Sequence, residues 1–230
     1  MTNGEDTSLL EQKRFVISRE SIGGMKSVRT KLEELKGKHP ELSGLGFFGS
    51  RITGAESPGS DYDVCIFYDS SKIYAPFGNK LEWQQLKREL EKGVSTRFDQ
   101  KIFGEAGGGL TIDISRESTD KDLELLKRYV DPSLSDRQFN NKDFDDLMAP
   151  YFSGLVARFF LVVGEEVYAN RKYILDQLQS WPQGEKYFQI LMKCLAWAER
   201  GDIRKRSLPG FKGYPKTLDE ASKYFLKPID

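Results

Sequence analysis

The sequence predicts an α+β chain, with a strand-bearing first half followed by a helical second half. Three observations carry this. Short apolar runs at residues 45–48, 61–68 and 110–115 are bounded by Gly, Ser, Pro and Asp, as strands commonly are. Stretches of helical periodicity at 18–35, 81–92 and 118–130 bracket them. From about residue 136 strand character fades, and apolar residues recur at helical spacing to the end. The division is placed at 135/136, giving segments 1–135 and 136–230.

In chain order, residues 1–11 are polar and expected to fray. The first helix sets Met25, Val28, Leu32 and Leu35 on one stripe and stops at His39-Pro40. His39 is the only histidine and is expected in an exposed loop, so chemistry in this chain must run on carboxylates. Strands follow at 45–48 and 61–68, then a loop with Tyr74 and Phe77. The 81–92 helix carries Trp83, Leu86 and Leu90 on one face and is stopped by Gly93. Residues 97–103 and 110–115 read as two strands joined by the glycine run 104–109. That run could be taken for a phosphate loop, but a strand rather than a helix follows it, which favours a flexible hairpin turn.

Ser118 or Thr119 is expected to cap the next helix, which Asp131-Pro132 breaks. Residues 143–163, 165–180 and 184–200 are then expected to be helical, the last with Phe188, Leu191, Leu195 and Ala198 aligned. Thr217-Leu218-Asp219-Glu220 fits a capping box that opens a final helix through Leu226.

Bulk properties narrow the class. Apolar residues make up 38% and charged residues 30% of 230, as in ordinary globular proteins. Lys+Arg and Asp+Glu balance at 35 each, so any nucleic-acid contact must rest on a local patch. No apolar run approaches the ~20 residues a bilayer span needs, so no membrane partner is expected. The N-terminus lacks a signal-peptide pattern. Cys65 and Cys194 sit in apolar runs and read as buried free thiols, which makes the cytoplasm the expected location.

The chemistry concentrates in Phe47-Phe48-Gly49-Ser50-Arg51 and Ser60-Asp61-Tyr62-Asp63. Alternate strand side chains share a face, so Asp61 and Asp63 point the same way, roughly 6 to 7 Å apart. Two like charges so placed are costly unless a cation lies between them, and carboxylates are ligands that Mg²⁺ prefers. The Gly-Ser turn offers backbone N–H groups and a hydroxyl to phosphate oxygens. Asp113 interrupts the later strand; it is either an edge residue in solvent or a third carboxylate brought beside Asp61 and Asp63, and the upstream pair favours the second.

One basic cluster, from Arg200 through Arg204, Lys205 and Arg206 to Lys212 and Lys216, interleaves with Phe211 and Tyr214. It suits phosphates and a stacked base, or equally a solvated helix end and turn.

Gly49-Ser50, a ten-residue spacing, Asp61-Tyr62-Asp63 and a later Asp113 together resemble the nucleotidyltransferase superfamily typified by DNA polymerase beta. The resemblance covers about residues 45–115. It implies a small mixed, palm-like sheet with helices on one face, followed by an all-α domain. It implies Asp61, Asp63 and Asp113 as metal-binding catalytic carboxylates for two Mg²⁺ ions, with Mn²⁺ able to substitute. Gly49, Ser50, Arg51 and Ser60 would serve the nucleotide. Lys193, on a helix similar to one in CCA-adding and poly(A)-polymerase-like members, would reach its phosphates.

The implied activity moves a nucleoside monophosphate from an NTP, with ATP favoured, to a hydroxyl on an RNA or tRNA end or a small molecule. The competing classes are an idle nucleotide-binding or interaction module, and a toxin–antitoxin nucleotidyltransferase that modifies a protein. Preferred base, acceptor and oligomeric state are not written in the spacing.

Overall fold

A computed structural model describes residues 19–53, 63–72, 111–131, 152–200 and 214–226. The expected helix at 81–92, strand at 97–103, glycine turn at 104–109 and segment boundary at 135/136 lie outside them, as do residues 201–213 of the basic cluster.

The first helix, α1 (Arg19–Lys36), buries Met25, Leu32 and Leu35 from the expected stripe. It packs against β1 (Leu42–Phe48), whose seven residues are all buried. A one-turn helix, α2 (Ser50–Thr53), follows directly, and β2 (Asp63–Tyr68) returns antiparallel to β1. A 3-10 turn at Ser70–Lys72 leaves the end of β2. The third strand, β3 (Thr111–Asp113), pairs with β2 in parallel. After it come α3 (Arg116–Tyr129), α4 (Ser153–Ala157), β4 (Leu161–Val163), α5 (Glu165–Gln179), α6 (Gly184–Arg200) and α7 (Leu218–Phe225). Strand order is β3-β2-β1-β4, a mixed sheet in an α+β fold.

Two elements differ from the sequence reading. Residues 143–163 were expected to be helical, yet β4 pairs antiparallel with β1 and becomes the fourth strand. The second half is therefore not all-α: it supplies part of the sheet. The run Phe159-Phe160-Leu161-Val162-Val163 is apolar throughout, and a strand buried on both faces has no alternation to distinguish it from a buried helix. Gly164 at φ 126° then turns the chain into α5.

The second difference is the cap of α3, which is Ser115 rather than Ser118 or Thr119. The Ser115 hydroxyl accepts from Ser118 N at 3.3 Å. The Thr119 hydroxyl instead points inward, donating to Ser115 O at 3.0 Å and accepting from Asn170 Nδ2 at 2.8 Å. At the last helix the Thr217 half of the expected capping box is present, while Glu220 reaches one residue further back than the N-cap. Thr217 Oγ1 accepts from Glu220 N, while Glu220 Oε2 accepts from Lys216 N at 2.8 Å.

Residues paired across a sheet share a face, so the register sorts the core. Gly46, Phe48, Asp63, Cys65, Phe67, Ile112 and Val162 face one way. Their apolar members join one buried cluster with α3 through α7. Leu45, Phe47, Val64, Ile66, Leu161 and Val163 face the other way and are equally buried. The core of the second half is thus continuous with the sheet.

Two arginines lie inside this core. Arg158, fully buried, donates to Asp122 Oδ2 at 2.7 Å and to the Asp113 carbonyl at 2.6 Å. Burial pulls its pKa down, with Asp122 opposing. Arg171 donates to the carbonyls of Arg158, Phe160 and Phe225, which fastens the end of α7 to the α4–β4 connection. Both cysteines are free and buried. Burial raises both thiols, Cys194 to about 12.

Candidate functional site

The site begins where β1 ends. Phe48 pairs with Asp63 across β1 and β2, and Gly49 takes φ +79°, which side-chain-bearing residues rarely adopt. A Cβ built on Gly49 would lie 1.4 Å from Asp63 Oδ2. The carboxylate of Asp63 therefore rests directly on the Gly49 main chain, and only glycine leaves it room. Ile52 N donates to the Gly49 carbonyl at 3.2 Å as α2 starts at Ser50. The β1–β2 pairing thus brings Gly49 and Asp63 together.

Asp63 itself is 9% exposed. Behind it Phe48 stacks on Phe160 with ring centroids 4.6 Å apart. An apolar floor of this kind makes the ionised carboxylate depend on nearby compensation. Arg51, expected to serve the nucleotide, is buried at 4% exposure. Lys193 lies part-buried on α6, the helix that packs against α2, and burial pulls its ammonium pKa down. Ser60 and Asp61 lie outside the described residues. His39, expected exposed, is part-buried, with Nδ1 3.3 Å from Glu41 Oε1.

The expectation that β3 carries Asp113 beside Asp63 is not met in this pairing. Asp113 stands opposite Tyr68, five residues along β2 from Asp63. At the rise of a parallel strand that is ~16 Å. The two carboxylates also have opposite parity, so they point to opposite faces of the sheet. The physical cause lies in the pairing itself. β3 runs parallel to β2, so its C-terminal residue lies toward the end of β2 that Asp63 does not occupy.

There the carboxylate accepts from Ser70 N at 3.1 Å, Ser70 Oγ at 2.6 Å, Ser115 N at 2.9 Å and Ser115 Oγ at 3.0 Å. Burial pushes Asp113 up, but these donors outweigh it and hold the group below the usual carboxylate range. Among the described residues no group of three or more His, Cys, Asp or Glu is placed to hold a metal ion.

A family model described as a nucleotidyltransferase domain matches residues 27–123, under half of the chain but spanning β1, β2 and β3. That stretch of the chain is similar to a nucleotidyltransferase domain. The match agrees with the resemblance to the polymerase beta-type superfamily, and it supports nucleotidyl transfer as the general activity. The mixed sheet with helices packed on it agrees with the fold of such a domain. No curated protein and no solved structure matches the chain. No helix among the described residues is long and apolar enough to cross a membrane.

The sequence reading missed Ser70 and Ser115 as partners of Asp113, and Arg158 as the donor to its carbonyl. A cation within the apolar run Leu155-Val156-Ala157-Arg158-Phe159-Phe160 was the available signal for the last. Isolated serines give no such signal.

Proposed function

We propose that the nucleotidyltransferase domain moves a nucleoside monophosphate from a nucleoside triphosphate, with ATP favoured, to a hydroxyl acceptor. The acceptor oxygen forms a bond to the α-phosphorus, the bond to pyrophosphate breaks, and the acceptor proton is released. The acceptor is an RNA or tRNA end, or a small hydroxylated molecule. The observation that carries this reading is the seating of the Asp63 carboxylate on Gly49, which fuses the phosphate-facing turn and a metal-binding group into one unit.

Asp61 and Asp63 are the proposed ligands of divalent cations, two Mg²⁺ ions with Mn²⁺ able to substitute. An all-oxygen donor set fits such ions. Bound there, they supply neutralisation of triphosphate charge. Asp113 is the proposed third carboxylate on the sequence pattern alone, and to join the others it must leave its serine partners. Gly49, Ser50 and Ser60 face the phosphates in this proposal. Arg51 contributes its main chain, since its side chain is buried. Lys193 supplies positive charge from α6. Two free, buried thiols support a cytoplasmic location.

The test is pyrophosphate release from Mg²⁺ and labelled NTPs in the presence of total RNA or a small-molecule extract. Wild type should label one pool, and Asp63→Asn should lower the rate by ~100-fold or more, about 2.7 kcal/mol in the barrier. Equal rates for the two proteins would refute the reading.

A further inference from the structure

The residues matched by the family model end at 123, yet the ring that closes the row behind Asp63 belongs to residue 160. Register places it there. Phe48 stands opposite Asp63 across β1 and β2, and along the other edge of β1 Phe47 pairs with Leu161 of β4. The residue before Leu161 therefore comes level with Phe48. Their two rings stack with centroids 4.6 Å apart and planes 20° from parallel. Asp63, Phe48 and Phe160 thus form a row across one end of the sheet.

Phe160 is itself held in place. Its side chain is buried, its carbonyl accepts from Arg171 Nη2 at 2.8 Å, and the strand it leads into is paired with β1. Phe48 in turn is the residue before Gly49, whose φ of +79° leaves the Asp63 carboxylate its seat. A shift of the Phe48 ring moves the start of that turn. Because Asp63 rests directly on Gly49, the shift passes to the carboxylate. The turn is braced from the second half on its far side too, since α6 packs against α2.

We propose that Phe160 is a positioning residue for the Asp63 carboxylate: stacked on Phe48, it fixes the turn on which Asp63 rests and so sets the affinity of the site for divalent cations. This rests on the nucleotidyl-transfer reading above, in which Asp63 holds such an ion. Phe159 supplies the contrast. It is fully buried as well, but its ring meets Phe188 of α6 and Phe225 of α7 edge-on, at 6.3 and 5.2 Å, rather than Phe48.

The experiment compares wild type, Phe160→Leu, Phe160→Met, Phe159→Leu and Asp63→Asn. It reads Mn²⁺ binding from the free-ion electron paramagnetic resonance signal, the Mg²⁺ dependence of pyrophosphate release, and a thermal midpoint for each. Phe160→Leu should weaken Mn²⁺ binding and raise the Mg²⁺ concentration for half-maximal release, each by about 10-fold, as loss of support behind a metal ligand does. Phe160→Met, which refills the space with a flexible chain, should shift both constants in the same direction. Phe159→Leu removes the same atoms from the same core, so it should lower the midpoint comparably yet leave both constants at wild-type values. If the folded Phe160 variants keep the wild-type constants, or if Phe159→Leu shifts them as far, Phe160 is core packing alone and the proposal is overturned. Failure of both Phe160 variants to fold would overturn it equally, since the ring would then serve the fold at large. Asp63→Asn binding Mn²⁺ and releasing pyrophosphate as wild type does would instead sink the transfer reading itself, whatever the phenylalanine variants do.

Discussion

The Asp63 carboxylate occupies the space that any side chain at position 49 would need. Gly49 holds φ +79°, and its missing Cβ would sit 1.4 Å from Asp63 Oδ2. Gly49→Ala therefore carries two penalties. The backbone conformation costs roughly 1–2 kcal/mol for an L-residue, and the carboxylate must move aside. A misplacement near 1 Å at a reacting centre can lower turnover on the order of 100-fold. Thermal midpoint and pyrophosphate release should both fall. An unchanged rate with a lowered midpoint would show that Asp63 does not need its present seat.

Gly44 makes the corresponding statement for β4. Its Cβ would lie 2.4 Å from the Val163 carbonyl oxygen and 2.6 Å from Val167 Cγ2. Gly44→Ala should prise β4 and α5 away from β1, at about 1–3 kcal/mol of overpacking. Gly23, on α1, has nothing within 4 Å of its Cβ. Gly23→Ala should add roughly 0.5–1 kcal/mol through helix propensity. Denaturant midpoints moving in opposite directions for the two alanines would bear out the pairing of β1 with β4.

Arg158 and Asp122 are unequal partners: the guanidinium is fully buried, while the carboxylate is 24% exposed. Asp122→Ala leaves a charge in the core that keeps the Asp113 carbonyl as its hydrogen-bond acceptor, and breaking a buried pair in this way costs about 3–5 kcal/mol. Arg158→Met removes the charge together with its burial penalty and should cost less. Equal urea midpoints for the two variants would contradict the burial seen here.

What could be read in advance follows from how local each feature is. α5, α6 and α7 were legible to within a residue or so, because periodicity and the Thr217 cap are written in consecutive residues. The strands expected at 45–48 and 61–68 were legible for the same reason, since each is a consecutive apolar run bounded by turn formers. β4 was not, because uniform burial of Phe159 through Val163 erases the alternation that marks a strand. Nor was the place of Asp113, which is set by the pairing of Ile112 with Phe67. That partner lies forty-five residues away, and its choice depends on what else packs on the sheet.

Glu166, near the start of α5, joins three elements. It accepts from Lys36 of α1 at 2.8 Å and from Lys72 of the 3-10 turn at 3.4 Å, with Asp69 also 3.6 Å from Lys72. Burial pushes its carboxyl up, but the Lys36 hydrogen bond and the charges of Lys36 and Lys72 outweigh this and hold it below the usual range. A carboxylate depressed by folding stabilises the native state above its unfolded pKa, and that contribution is lost as pH falls through the lower folded value. Wild type should therefore exceed Glu166→Gln in urea midpoint most clearly near neutrality. The difference should shrink below about pH 4.3, the ordinary glutamate value. Raised salt should narrow the gap at neutral pH, since the three side chains are partly open to solvent. A gap that stays constant from neutrality down to about pH 3 would mean that Glu166 acts through its size rather than its charge.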